Sequence, residues 1–91
     1  MRVARRFVVS GRVQGVGFRY FTQDVALREG VTGWVRSLEN GQVEALVEGE
    51  AEAVTRVERA LRTGPRGARV DRIYIDHEEP TGTYRTFRVT A

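Results

Sequence analysis

Residues 31 to 49 read VTGWVRSLENGQVEALVEG, two extended runs that meet at Asn40-Gly41. That pair tolerates the positive φ values of a type I′ turn, so the stretch predicts a β-hairpin. In the second arm Val43, Ala45 and Val47 alternate with Glu44, Leu46 and Glu48. The alternation predicts one buried face and one mainly wet face.

Outward from the hairpin, both flanks are helical. FRYFTQDVALREG carries good helix formers and ends on Gly30, a left-handed cap followed by apolar Val31, which predicts a helix over Phe18 to Glu29. On the other side, residues 50 to 63 place Ala53, Val54, Val57, Ala60 and Leu61 on one stripe. Acids near the start and Arg62 near the end suit the macrodipole, and Gly64-Pro65 stops the helix. One step further out lie strands. Val3 to Val9 is rich in β-branched and aromatic residues, with Arg5 set among Val3, Phe7 and Val9 on one parity, and ARVDRIYIDHEE gives a fourth strand. YRTFRVTA adds a short fifth strand after the Pro80 to Gly82 turn. The order β-α-β-β-α-β with an added strand predicts an α+β, ferredoxin-like fold, an antiparallel or mixed sheet with two helices on one face. Apart from the glycine-rich stretch, the longest loop expected is Gly64 to Gly67, and residues 1–91 are expected to form one domain with one modest core.

Composition narrows the chemistry. Apolar residues make up 41% of the chain, an ordinary globular share, and no run approaches the ~20 apolar residues of a membrane span. The amino terminus lacks the features of a secretory signal, so a cytoplasmic location is expected. Cysteine is absent, which excludes disulfides, thiol nucleophiles and cysteine zinc sites. All fifteen basic residues are arginine and none is lysine. Schiff-base catalysis and the Walker A loop are therefore excluded, since both need an amine. Arginine stays protonated: it clamps anions but does not act as a base.

Between the first strand and the first helix runs GRVQGVGFR, residues 11 to 19, with three glycines in seven positions. Main-chain N–H groups at the start of a helix lack intrahelical partners and carry the positive end of its dipole. A concave row of such donors forms an anion nest, and Arg19 in the first turn can add two charge-assisted hydrogen bonds to the same anion. The plainer reading is a tight turn with a solvated arginine. The glycine spacing does not fit the dinucleotide fingerprint G-x-G-x-x-G.

VSGRVQGVGFR, from Val9 to Arg19, together with GWVRSLENGQVEALVEG, from Gly33 to Gly49, resembles the acylphosphatase family. EGEAEAV, GPRGARVDRI and EEPTGTYRTFRV follow the same family's layout, so the resemblance covers nearly the whole chain. It implies a small, metal-free and cofactor-free hydrolase that cleaves the carboxyl-phosphate bond of acyl phosphates. The family's phosphate-binding loop falls on Gln14, Gly15, Val16, Gly17 and Phe18, and its essential arginine on Arg19. Its water-orienting asparagine, in Gly-Trp-Val-x-Asn, falls on Ser37, because the motif here reads Gly33-Trp34-Val35-Arg36-Ser37. Asn40 cannot stand in, since it sits three residues on at the hairpin tip.

The resemblance therefore predicts an acylphosphatase weakened at Ser37, acting as a monomer, with phosphate or sulfate as an occupant of the loop. Two other classes compete with it. One is an anion-binding module whose turnover is impaired. The other, nucleic-acid binding, is disfavoured because QVEALVEG has no aromatic and two internal acids, contrary to a base-stacking platform. His77, beside Asp76 and Glu78, reads as an exposed or locally paired strand histidine. Trp34, Phe21 and Phe18 are candidates for an aromatic acyl surface, with the core the favoured place for Phe21.

Overall fold

In the computed structural model, which describes residues 1–91, the elements are β1 (Arg2–Arg12), α1 (Phe18–Glu29), β2 (Thr32–Ser37), β3 (Val43–Glu50), α2 (Ala51–Thr63), β4 (Arg69–Glu78) and β5 (Phe87–Val89). The strands form one mixed sheet in the order β4-β1-β3-β2-β5, antiparallel throughout except for β2 against β5. This is the expected ferredoxin-like α+β arrangement. No helix is long and apolar enough to cross a membrane.

The helices end where the local chemistry ends them. Gly30 adopts φ 72° at the close of α1, and the amides of Gly30 and Val31 donate to Leu27 and Ala26 carbonyls at 3.3 and 3.1 Å. Those bonds satisfy carbonyls that the helix would otherwise leave open. On α2, Val54, Val57 and Leu61 are fully buried against the sheet. They meet Phe7, Val9, Val35, Val43, Ala45 and Val47, which the strand registers put on one sheet face. Arg5 shares that face at its edge, where it donates to the Thr55 hydroxyl at 3.3 Å and lies 3.7 Å from Glu58.

Three details depart from the sequence reading. The hairpin is not a type I′ turn, because no residue other than glycine has positive φ, and Asn40 therefore keeps negative φ. Instead Gly41 alone turns left-handed, at φ 92°, and its amide donates to the Leu38 carbonyl at 3.2 Å. Asn40 accepts the Gln42 amide at 3.0 Å, so the loop is Glu39-Asn40-Gly41. Three-residue loops closed by one left-handed glycine are the next commonest hairpin form.

The second departure is β3, whose acidic face is buried. Glu44 and Glu48 are 6% and 1% exposed because β3 is the central strand and its outer face is covered. Glu44 lies between the guanidinium groups of Arg6 and Arg36, at 2.6 and 2.7 Å. Burial pushes its carboxyl upward, but those two partners outweigh burial and hold it below the ordinary value.

The third departure concerns the last loop. Residues 79 to 86 form the longest connection, and β5 begins only at Phe87. The chain must travel from β4 at one edge of the sheet to β5 at the other, which uses the residues expected to be strand. Glu48 holds this crossing, accepting from the Gly82 amide and the Thr81 hydroxyl. Burial raises the Glu48 carboxyl, while the donors of Gly82 and Thr81 and the charge of Arg2 lower it by more, so its pKa falls below 4.5.

Glu48→Ala should lower unfolding free energy by about 2 kcal/mol in chemical denaturation at neutral pH, the scale of a hydrogen bond to a charged group. The advantage of wild type over Glu48→Gln should be complete above pH 4.5 and fade as pH falls through the lower folded-state value.

Candidate active site

The turn from β1 into α1 is built by apolar anchors alternating with open backbone. Val13 and Phe18 are 1% and 2% exposed and pin the two ends of the loop in the core. Val16 leans toward Gly67 in the α2–β4 turn, and the same turn's Gly64 packs against the Phe18 ring. Between the anchors, Gly15 and Gly17 adopt φ 74° and 75°. A Cβ at either position would meet nothing within 4 Å, so it is backbone conformation rather than space that requires glycine there.

The loop leaves its donors free. Phe21 donates to Gly17 at 2.9 Å, the first helical bond of α1. None of the hydrogen bonds outside the helices and strands is donated by an amide of residues 14 to 20. No side chain caps α1, and its first turn contains no acid. The positive end of the helix dipole and a row of amides thus face one opening without a negative group to answer them.

Arg19 stands in the same opening. It is half-exposed and forms no ion pair; its guanidinium carbon lies 5.9 Å from the centre of the Tyr20 ring. Val13, Gln14, Gly15, Gly17, Phe18, Arg19, Tyr20 and Ser37 line one cleft of about 310 Å³. The cleft therefore brings together the predicted loop residues, Arg19 and Ser37, with Val16 behind its wall. Ser37 reaches it as the last residue of β2, opposite Val43 at the root of the hairpin. Its hydroxyl is half-exposed and has no protein partner.

A side-chain relay ties the hairpin to the loop. The Gln14 Nε2 donates to the carbonyls of Leu38 and Gln42 at 2.9 and 3.2 Å. Gln42 in turn donates to the Ser10 hydroxyl at 2.7 Å and accepts from Asn40 at 2.7 Å. The Gln14 side chain thus positions the wall that carries Ser37, while its backbone amide belongs to the open row. Sequence reading had placed only the amide.

As candidates for an acyl surface, Trp34 and Phe18 need correction. Trp34 lies on the outer face of the sheet under the Arg36 guanidinium, 5.3 Å away, because alternation on β2 points it opposite to Ser37 and Val35. Phe18 is 2% exposed and belongs to the core, and Phe21 packs against it with ring centres 6.0 Å apart, in the core as favoured. Tyr20, which sequence reading passed over, is the exposed aromatic at the cleft. Its position one residue after Arg19 was the available signal. His77 is exposed on β4, in register with Arg5 and away from the cleft. No group of three or more His, Asp or Glu side chains is gathered in a metal-holding arrangement.

The chain matches the family model described as Acylphosphatase over residues 5–89. It is 49% identical to the acylphosphatase of Anaeromyxobacter dehalogenans (strain 2CP-C), covering 97% of this chain and 95% of that one. It is 47% identical to the acylphosphatase of Roseiflexus sp. (strain RS-1), over 98% and 97% of the two chains. Among solved structures, the crystal structure of acylphosphatase from Bacillus subtilis superimposes with a TM-score of 0.95 at 34% identity, covering 98% of this chain and 99% of that one.

Gly15→Ala and Gly17→Ala should each destabilise the protein by about 1–2 kcal/mol, the cost of a left-handed L-residue, despite the room for the added methyl. Urea denaturation measures this, and D-alanine at either position should restore wild-type stability.

Proposed function

The chain belongs to the acylphosphatase family and hydrolyses the carboxyl-phosphate bond of acyl phosphates, and from that premise we propose that its cleft works by holding the phosphoryl group while water attacks phosphorus. The observation that carries this reading is the row of unpartnered amides from residue 14 to residue 20, sharing one opening with a guanidinium that has no acid. Gln14, Gly15, Val16, Gly17 and Phe18 supply main-chain donors, and Arg19 supplies a fixed positive fork. A phosphoryl dianion satisfies both.

The chemistry asks for little else. The departing carboxylate is a weak base and leaves without a general acid. As the bond to phosphorus loosens, charge spreads over three equatorial oxygens, and donors arranged beforehand hold that charge without reorganising. Water on the Ser37 wall attacks in line, its proton passing to solvent or to a phosphoryl oxygen. Ser37 has one hydroxyl that both donates and accepts, whereas asparagine would hold the water through two separate groups. Ser37 is thus a shortened positioning contact, and it is the one observation favouring the rival reading of an anion-binding module with impaired turnover.

We also propose that the chain acts as a monomer and that residues 1–91 form one acylphosphatase-like domain, since both helices and all five strands pack into one hydrophobic core.

Arg19→Ala should reduce acetyl-phosphate turnover by at least about a hundredfold, the loss expected for one preorganised donor, while Ser37→Asn should raise it by a factor on the order of 10². Steady-state release of inorganic phosphate measures both. An unchanged rate in Ser37→Asn removes Ser37 from the mechanism, and an unchanged rate in Arg19→Ala removes the cleft.

A further inference from the structure

A pocket that grips phosphate leaves the rest of its substrate to the side chains at the mouth. Most of those here are committed elsewhere: Val13 and Phe18 are in the core, and the Gln14 amide group is bound to the hairpin. Tyr20 is not committed. It is 63% exposed, one of four large hydrophobic side chains left open to solvent, and the one among them that lines the cleft.

We propose that Tyr20 receives the acyl group and biases this enzyme toward acyl phosphates whose acyl part is flat and apolar, in preference to small ones such as acetyl. The inference rests on the reading of the cleft given under Proposed function. In-line displacement puts the leaving carboxylate opposite the attacking water. Ser37 sits on the hairpin wall, so the acyl group points toward the wall formed by the first turn of α1. Arg19 and Tyr20 are consecutive residues of that turn, with the guanidinium carbon 5.9 Å from the ring centre. An aromatic acyl group leaving along this wall lies against the Tyr20 ring in the offset arrangement that aromatic pairs favour, while the phosphoryl oxygens remain on Arg19 and the loop. A methyl group is too small to cover the ring.

The test compares kcat/KM for benzoyl phosphate and acetyl phosphate in wild type, Tyr20→Ala and Tyr20→Phe, with inhibition by inorganic phosphate measured in each. The benzoyl-to-acetyl ratio should fall about fivefold in Tyr20→Ala, the weight of one aromatic pair, and should be kept in Tyr20→Phe. An unchanged ratio overturns the proposal. Equal losses on both substrates also overturn it, because the ring would then serve only as a rest for Arg19. Loss of phosphate inhibition in Tyr20→Ala overturns it as well. Failure of the underlying reading has a different signature, full activity of Arg19→Ala on both substrates.

Discussion

The structure depends on a stretch of backbone that is denied its usual partners. Between β1 and α1 the chain makes two left-handed steps, at Gly15 and Gly17, and the amides of residues 14 to 20 donate to no protein carbonyl. A folded protein rarely leaves so many donors in a row, because a polar group without a partner costs free energy wherever water is scarce. The arrangement persists because Val13 and Phe18 fasten it at both ends to the core. Nothing negative intrudes: the first turn of α1 holds no acid, and Arg19 adds positive charge where the dipole already supplies it. Such a site is repulsive when empty and satisfied by an anion.

The rest of the fold holds this loop still. The α2–β4 turn backs it through Gly64 and Gly67, and the Gln14 side chain joins it to the hairpin that carries Ser37. At the far end of the sheet the Glu48 carboxylate fastens the long crossing that delivers β5 to the edge of β2. A small protein can serve as this catalyst because its reaction needs charge stabilisation and alignment more than acid–base chemistry. In the proposed mechanism, backbone donors and one arginine provide both without lysine or cysteine.

Much of this was legible in the sequence, and the failures have physical causes. The bounds of α1 follow from Gly17 and Gly30, and the apolar stripe of α2 predicts its buried face. The outer face of β3 was misread because alternation reports polarity, whereas burial depends on strand order: Glu44 and Glu48 lie on the central strand, neutralised by neighbours distant in sequence. The hairpin turn was misread because Asn40 uses its side chain, not positive φ, to shape the bend. At the site, the glycine-rich stretch made an anion nest one of two readings, and the resemblance to the acylphosphatase family singled out the loop and Arg19. The Gln14 tie and the exposure of Tyr20 were not legible, since both depend on tertiary placement.

The most direct measurement is a titration of the 15N-labelled protein with inorganic phosphate, followed by amide chemical shifts. The account predicts that the largest changes fall on the amides of residues 14 to 20, with a smaller change at Ser37, and that Arg19→Ala weakens the response at all of them. Unmoved loop amides, with the largest shifts elsewhere on the arginine-bearing surface, would contradict it.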